Sequence, residues 1–177
     1  MRIRAYQPES DEDTLLGLWA AAFGETWSMT AEWLRRETSA ATYLPGDHLL
    51  AEIDGQAAGF ALTQLGTGDS PRGSLLALAV RPDLRRRGVG QALHQAALFW
   101  LYASGARQVQ LGAGGLGYFW PGVPAGLDGA WAFFNALGWA EIERSYDLVC
   151  SRDGYTTPAW VWERVKGLGF RDRRAGG

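Results

Sequence analysis

The chain has 177 residues, of which 47% are hydrophobic, so it is long enough to bury a core without help from a metal ion or a disulfide. Its one cysteine, Cys150, cannot form an internal disulfide, and no apolar stretch approaches the roughly 20 residues that cross a bilayer. A net charge of −2 and a pI near 5.7 argue against nucleic acid and anionic membranes as partners, so we expect a soluble cytoplasmic protein.

The N-terminal part of the chain predicts one strand and two helices. Arg2–Tyr6 alternates polar and apolar side chains as a strand does. Pro8–Asp11 supplies turn residues and an N-cap for a helix over Asp13–Phe23, whose apolar residues recur at helical spacing. A second, shorter helix follows, with Ser28 or Thr30 as its cap.

Three strands are predicted next. His48–Glu52 and Ala57–Leu65 are apolar runs, and the turn between them contains Asp54-Gly55, a dipeptide typical of tight hairpins. Ser74–Val80 is apolar almost without interruption, which is typical of a strand buried on both faces.

The second half of the chain alternates helices with strands. In chain order the predicted elements are helix Gly88–Ser104, strand Gln108–Leu111, loop Gly112–Gly129, helix Ala130–Leu137, strand Trp139–Cys150 and helix Tyr155–Lys166. Hairpins at the front and a crossover helix behind the central strand predict an α/β (α+β) architecture, a mixed sheet with helices on both faces. We expect one domain over residues 1–150 and a helical extension over residues 151–177.

The segment Arg85-Arg86-Arg87-Gly88-Val89-Gly90 follows the buried strand and opens the longest helix. Backbone N–H groups at a helix start lack partners, the helix dipole adds positive potential, and glycines let a phosphate approach the backbone. The pattern therefore predicts a cradle for a diphosphate. It lacks the Gly-Lys-Ser/Thr ending of a Walker loop and the spacing of the Rossmann fingerprint.

Two segments resemble motifs of the GNAT acetyltransferases. Arg85-x-x-Gly88-x-Gly90, after an apolar strand ending in Val80-x-Pro82, is similar to motif A of that family. The stretch AWAFFNALGW at residues 130–139 resembles motif B, and the two motifs occur in the family's order and spacing. The resemblance covers residues 1–150 and implies the GNAT fold, with splayed central parallel strands, and acetyl-CoA as the cofactor.

The same resemblance implies which residues hold the cofactor. The pantetheine arm would pair, as an added strand, with the backbone of Leu78, Ala79 and Val80. The pyrophosphate would lie on the N–H groups of Arg86, Arg87, Gly88, Val89, Gly90 and Gln91. For the guanidinium groups of Arg85 and Arg87, ion pairing with phosphate and solvation are both open, whereas Arg86 is expected to be exposed.

A loop before motif B carries a second resemblance. Residues 117–124, GYFWPGVP, are similar to a segment of a GNAT subgroup that includes the acetyltransferase-like domain of some β-N-acetylglucosaminidases and bacterial two-domain acetyltransferases. Tyr155–Gly169 resembles the beginning of the second half found in that subgroup, and we expect no complete second domain here. Tyr118, Phe119 and Trp120 could form a wall of the acceptor pocket or cover the edge of the core.

Acetyl transfer requires a neutral amine and a proton for the leaving thiolate, but no metal. The family often uses a motif B tyrosine as the acid, and Phe134 stands at that position. Substitute donors are Tyr118, which we favour, and Tyr146. Asp128 and Glu25 are candidates for the base, although Asp128 is better explained as an N-cap of the motif B helix. His94, in the middle of a helix, is expected to be structural.

Two functional hypotheses follow from these residues. The leading one is an acetyl-CoA-dependent N-acetyltransferase that transfers an acetyl group to a small-molecule amine or a protein lysine. The alternative, which Phe134 favours, is an inactive GNAT-like domain that serves as a CoA-binding or interaction module. Trp160 and Trp162 on the last helix either pack on the sheet or offer a partner surface, for example in a homodimer.

Overall fold

The computed structural model describes residues 1–38, 48–66, 71–112, 122–144, 146, 151 and 153–168. The chain divides into two compact units, Met1–Ala140 and Glu141–Gly177. The first contains the sheet and four α-helices, and the second contains α5 (Ala159–Gly167). None of the helices in the described ranges is both long enough and apolar enough to cross a membrane.

A five-stranded mixed sheet forms the centre of the first unit. Its strands lie in chain order: β1 (Arg2–Ala5), β2 (His48–Ile53), β3 (Gln56–Leu65), β4 (Arg72–Val80) and β5 (Gln108–Leu111). The first three pairs of neighbours are antiparallel, and β4 and β5 are parallel. The predicted hairpin between β2 and β3 is confirmed, because Asp54 and Gly55 have φ values of 51° and 77°, the left-handed pair of a type I′ turn.

Helices cover both faces of the sheet, as the sequence predicts. They are α1 (Pro8–Phe23), α2 (Ala31–Thr38), α3 (Val89–Ala103) and α4 (Asp128–Ala136). On one face Trp19 of α1 and Leu34 of α2 pack against Phe60 of the sheet. On the other face Leu93 of α3 packs in a cluster with Ala61 of the sheet. Each face therefore has its own apolar core.

The first helix begins at Pro8, five residues before the predicted Asp13. Proline suits the first helical turn because it has no N–H to leave unpaired. The Asp11 carboxylate accepts the N–H of the N-cap residue, Gln7, at 2.8 Å and a guanidinium N–H of Arg4 at 2.9 Å. The bond to Arg4 lowers the pKa of Asp11, and the pair fastens the start of α1 to β1.

Three predictions for the later part of the chain are wrong: a strand, an N-cap and the start of the last helix. The described residues of the predicted strand 139–150 form no strand, and Ile142 in this segment is 88% exposed. Asp128 is the first residue of α4, whose N-cap is Leu127, so the predicted N-cap role is also wrong. The last helix begins at Ala159 rather than at Tyr155, because Pro158 precedes it as the N-cap.

Candidate active site

The strand β4 consists of two halves with different neighbours. Its first half pairs in register with β5 from Arg72↔Gln108 to Leu75↔Leu111, and the N–H of Gly112 donates to the Leu75 carbonyl at 2.9 Å. Its second half, residues 76–80, continues beyond the end of β5 and pairs with β3 only, within the described part of the chain. Among the described residues the sheet is therefore open between β4 and β5 along this second half, as the predicted splaying requires.

A bulge marks the boundary between the two halves. The register with β3 steps from Leu62↔Ala77 to Thr63↔Leu75, which leaves Leu76 as an additional residue on β4. Leu76 and Ala77 consequently pack toward the same core cluster, whereas a regular strand would send them to opposite faces. The additional residue reverses the alternation of side chains between the face covered by α1 and the face covered by α3, at the point where β5 ends.

The open half of β4 directs backbone groups into the gap. The Ala79 carbonyl faces β3, since it lies 2.5 Å from where a Cβ on Gly59 would be, and the N–H of Arg81 donates to the Ala58 carbonyl of β3 at 2.9 Å. Alternate residues of a strand face opposite neighbours, so the N–H and C=O groups of Leu78 and Val80 face the gap. Of the three residues predicted to pair with the pantetheine arm, two are oriented for it.

The segment after β4 leads into the start of α3 without a side-chain cap. A 3₁₀ turn, Pro82–Leu84, is followed by Arg86 and Gly88, with φ values of 62° and 80°, and Gly88 is the N-cap of α3. The first bond of the helix runs from the N–H of Ala92 to the Gly88 carbonyl, which leaves the N–H groups of Val89–Gln91 without partners inside the helix. These donors, beside exposed Arg86 and Arg87, suit a diphosphate.

Arg85 and Arg81 have backbone and side-chain partners of their own. Arg85 donates from Nε to the Val80 carbonyl at 3.1 Å and from Nη2 to the Ala22 carbonyl of α1 at 3.4 Å. Arg81 forms an ion pair with Asp83 at 2.7 Å. Two of the five N–H donors of Arg85 thus bind backbone carbonyls although the side chain is exposed, which the sequence did not predict.

A cavity of about 60 Å³ lies beside the open half of β4. The aromatic side chains of Trp19 and Phe23 on α1 and Phe134 on α4 contribute to its wall. The remaining lining residues are small or aliphatic: Leu75, Leu76, Ala77, Leu78, Leu111, Gly112, Gly122, Val123, Pro124, Leu127 and Ala130. The described wall carries no ionisable side chain, so a charged group entering it would lose solvation.

The wall formed by α4 is attached to α3 through His94. Its Nε2 accepts the indole N–H of Trp139 at 2.8 Å, and its ring makes edge-to-face contacts with Phe133, Phe134 and Trp139. His94 is 5% exposed, and burial lowers its pKa, which favours the neutral form that the bond from Trp139 requires. The predicted structural role of His94 agrees with these contacts.

The candidate catalytic residues are not brought together in the described structure. Tyr118, with Phe119 and Trp120, lies outside the described residues. Asp128 and Glu25 are exposed and do not line the cavity. Tyr146 is 76% exposed in the second unit.

Sequence reasoning missed Trp19 and Phe23 as residues of the pocket. Their spacing of four residues places both on one face of α1, but the same spacing is typical of ordinary core packing. Trp19 does serve the core as well, since it stacks on Phe60 with ring centroids 5.9 Å apart. Their position beside a gap in the sheet requires knowing where β5 ends.

Comparison with known proteins gives a family for this chain. The family described as "Acetyltransferase (GNAT) family" matches residues 13–139. A mycothiol acetyltransferase of Thermobispora bispora is 35% identical over 118 residues, which are 63% of this chain and 40% of the relative. A mycothiol acetyltransferase of Acidothermus cellulolyticus is 32% identical over 109 residues, 52% of this chain and 33% of that protein. The chain spans less than half the length of these relatives.

Solved structures agree on the fold. The GCN5-related glucosamine N-acetyltransferase region of a fungal multi-domain GH3 β-N-acetylglucosaminidase has a TM-score of 0.78 and 28% identity, covering 94% of this chain and 20% of that one. This match also supports the resemblance seen in the loop 117–124. The ribosomal-protein-S18-alanine N-acetyltransferase of Escherichia coli has a TM-score of 0.63 and 22% identity, over 80% and 79% of the two chains. The chain belongs to the GNAT acetyltransferase family.

Proposed function

We propose that this protein is an acetyl-CoA-dependent N-acetyltransferase that acts on a primary amine. The observation that carries the proposal is the open half of β4, whose gap-facing backbone groups have no strand partner among the described residues and lead into the uncapped start of α3. A strand edge and an anion cradle in that order fit a ligand with an amide-containing arm and a diphosphate. Membership of the family supports acetyl-CoA as that ligand.

In this proposal two regions of the chain bind the cofactor. The backbone groups of Leu78 and the N–H of Val80 would pair with the amide groups of the pantetheine arm, because they face the gap, while the Val80 carbonyl accepts from Arg85. The carbonyl of Ala79 would not bind the arm, because it faces β3 and not the gap. The N–H groups of Arg86–Gln91 would hold the diphosphate, with the side chains of Arg86 and Arg87 as exposed cations beside it. Arg85 would support the site indirectly, because its side chain holds the Val80 and Ala22 carbonyls in place.

Acetyl-CoA supplies the acetyl group as a thioester. The acceptor nitrogen forms a bond to the acetyl carbon, the carbon–sulfur bond breaks, the nitrogen loses a proton and the departing sulfur gains one. A lysine-like amine has a pKa of about 10.4 in water and is mostly protonated at neutral pH. The apolar wall of Trp19, Phe23 and Phe134 would favour the neutral, reactive amine by desolvation.

The acid that protonates the leaving sulfur is proposed to be Tyr118. Phe134 forms part of the cavity wall at the position of the family's motif B tyrosine, so the phenol must come from another residue if one is used. Tyr146 is the second candidate. Asp128 and Glu25, which are exposed, would act as bases through water.

The acceptor is proposed to be a small molecule with an amine on a sugar-like scaffold. Two relatives are named for mycothiol, and the structure with a TM-score of 0.78 is a glucosamine N-acetyltransferase region. Glucosamine and the amine substrate of a mycothiol acetyltransferase are therefore the first acceptors to screen. A lysine-containing peptide tests the protein-acceptor alternative in the same assay.

The first experiment measures the melting temperature with acetyl-CoA, CoA and ATP, for the wild type and for Gly88→Glu. The matched control is Gly105→Glu, because Gly105 lies at the other end of α3 with φ of 101° and equally open surroundings. We expect a rise with the CoA compounds only, lost in Gly88→Glu and retained in Gly105→Glu. The absence of a rise in the wild type, or an equal loss in both variants, would refute the proposed cradle.

The acid is tested by Tyr118→Phe beside Tyr146→Phe. We expect Tyr118→Phe to lower kcat by about 100-fold, the lower end of general acid–base effects, with the affinity for acetyl-CoA unchanged. A drop in kcat confined to Tyr146→Phe would transfer the role to that residue. Binding of acetyl-CoA without acetylation of any screened amine would instead favour the inactive CoA-binding module that Phe134 suggests.

A further inference from the structure

The C-terminal turn of α1 lacks a cation of its own. The helix ends at Phe23, with Gly24 in a left-handed conformation as its cap, and its last turn contains no basic residue. The last four carbonyls of a helix have no partner inside it and carry partial negative charge. Arg85 supplies what the helix lacks, since its Nη2 donates to the Ala22 carbonyl at 3.4 Å.

The same guanidinium binds a second carbonyl that the fold leaves without a strand partner. The Val80 carbonyl faces the gap between β4 and β5, beyond the last pair of that ladder, Leu75↔Leu111. Arg85 donates to it from Nε at 3.1 Å. One side chain therefore connects the end of the open half of β4 to the end of α1, two segments far apart in sequence.

The bond to Ala22 connects Arg85 to the end of α1 that forms part of the cavity wall. Ala22 precedes Phe23, which lines the cavity together with Trp19 one turn earlier. Arg85 itself begins the loop that leads to α3. Holding the Ala22 carbonyl fixes the last turn of α1, and hence the position of the Phe23 ring relative to β4.

We infer that Arg85 is a positioning residue for the acceptor side of the site, and that it is not a phosphate ligand. This inference rests on the proposed function for its consequence in catalysis, but its structural part concerns the free protein. Arg87 provides the contrast: it follows Arg85 by two residues in the same loop and is exposed as Arg85 is, but the described structure shows no backbone carbonyl bound by its side chain. Removing Arg85 should loosen α1, whereas removing Arg87 should weaken binding of the diphosphate.

The test compares Arg85→Ala, Arg85→Lys and Arg87→Ala with the wild type. Hydrogen exchange of the free protein follows the amides of Phe23 and Gly24, the latter bonded to the Ala20 carbonyl at 2.9 Å. We expect exchange about threefold faster in Arg85→Ala, because the bond to Ala22 is exposed and 3.4 Å long and therefore lies at the lower end of what one hydrogen bond contributes. Arg85→Lys should restore part of the protection, and Arg87→Ala should leave it unchanged. Amides in the middle of α3 report whether each variant is folded.

Calorimetry with acetyl-CoA gives the second readout. We expect Arg85→Ala to keep its Kd within about twofold and Arg87→Ala to raise it about tenfold, the effect of one charge-assisted contact. With an acceptor identified, Arg85→Ala should raise the KM for the acceptor more than the KM for acetyl-CoA. Unchanged exchange at Phe23, or a Kd raised as much in Arg85→Ala as in Arg87→Ala, would overturn the inference. A wild type that fails to bind acetyl-CoA would refute the proposed function, while the exchange experiment would still decide the role of Arg85.

Discussion

The two halves of β4 show how one strand serves both the core and the site. Its first half has a neighbour on each side, and Gly73 in that half lies against Leu101 and Ala106. Its second half has β3 on one side and the gap on the other. The bulge at Leu76 separates them, so the regular half contributes to stability and the open half leaves backbone donors and acceptors for a ligand.

The open half depends on unusually close support from β3. A Cβ on Gly59 would lie 2.5 Å from the Ala79 carbonyl and 3.2 Å from the Val80 Cα. On the closed half, a Cβ on Gly73 would meet Leu101 Cδ2, the end of a flexible side chain, at 3.1 Å and Ala106 Cβ at 3.2 Å. An added methyl group would therefore meet backbone atoms on the open half of β4 and side chains on the closed half. The two halves should differ in how well they tolerate such a group.

The largest effect is expected for Gly59→Ala. The added methyl would push against backbone atoms of β4, and we expect the free energy of unfolding to fall by about 3 kcal/mol, the upper end for overpacking. Gly73→Ala should cost less, about 1–2 kcal/mol, because the Leu101 side chain can move and Ala106 has to shift by only a few tenths of an ångström. Urea denaturation measures both variants.

The control for these two glycines is Gly17→Ala. Gly17 lies in the middle of α1 with no heavy atom within 4 Å of a new Cβ, so alanine should stabilise the protein by about 0.5–1 kcal/mol through helix propensity. Equal costs for Gly59→Ala and Gly73→Ala would contradict the distinction between the two halves of β4.

The sequence predicts the order of most elements because their signals are local. The turn at Asp54-Gly55 requires left-handed backbone, and the glycines around α3 mark its beginning and end. The bulge at Leu76 has no such signal, since Leu75–Val80 is apolar at almost every position and does not reveal which face each side chain takes. Core periodicity alone places the strand and leaves its register undetermined.

The site is predicted in part for the same reason. The motif around Gly88 is readable because the proposed binding is by the backbone, and glycine at positive φ is a local requirement. The partners of Arg85 are not readable, because its guanidinium reaches Ala22, which is 63 positions away in the chain. An arginine in a predicted phosphate loop suggests a phosphate ligand, and only the fold shows two backbone carbonyls within its reach.

The next effect concerns His94 of α3, on which we expect the free energy of unfolding to depend as the pH changes. His94 is surrounded by the neutral rings of Phe133, Phe134 and Trp139, and its lowered pKa means that the folded state disfavours its proton. The unfolded chain binds that proton below about pH 6.5, so the free energy of unfolding should be constant above that pH. It should fall below pH 6.5 by up to about 1.4 kcal/mol per unit until the folded pKa is reached.

Denaturation between pH 5.5 and 8 measures this effect in the wild type and in His94→Gln. Glutamine can still accept the indole N–H of Trp139 but does not titrate, so the variant should lose that part of the slope. The contribution of Asp11, whose pKa is lowered, is lost only at more acid pH and does not interfere in this range. An identical slope in both proteins would mean that His94 is protonated as easily in the folded state as in the unfolded one.

The smallest effect is expected at Arg86, where the loop after the open half takes a left-handed conformation with φ of 62°. A side chain there costs about 1 kcal/mol relative to glycine, so Arg86→Gly should unfold with a higher free energy than Arg86→Ala, by no more than about that amount. Both variants lose the same charge, and both should bind acetyl-CoA about threefold more weakly with a smaller dependence on salt, as expected for an exposed cation near phosphate. Urea denaturation measures the stability of the two variants, and calorimetry measures their affinity for acetyl-CoA. If the variants differ in stability but bind equally well, the strain lies in the backbone and the lost binding is due to the charge. Equal stability of the two variants would show that the loop relaxes without a ligand, and the open half of β4 would then end in a flexible segment rather than in a preformed cradle.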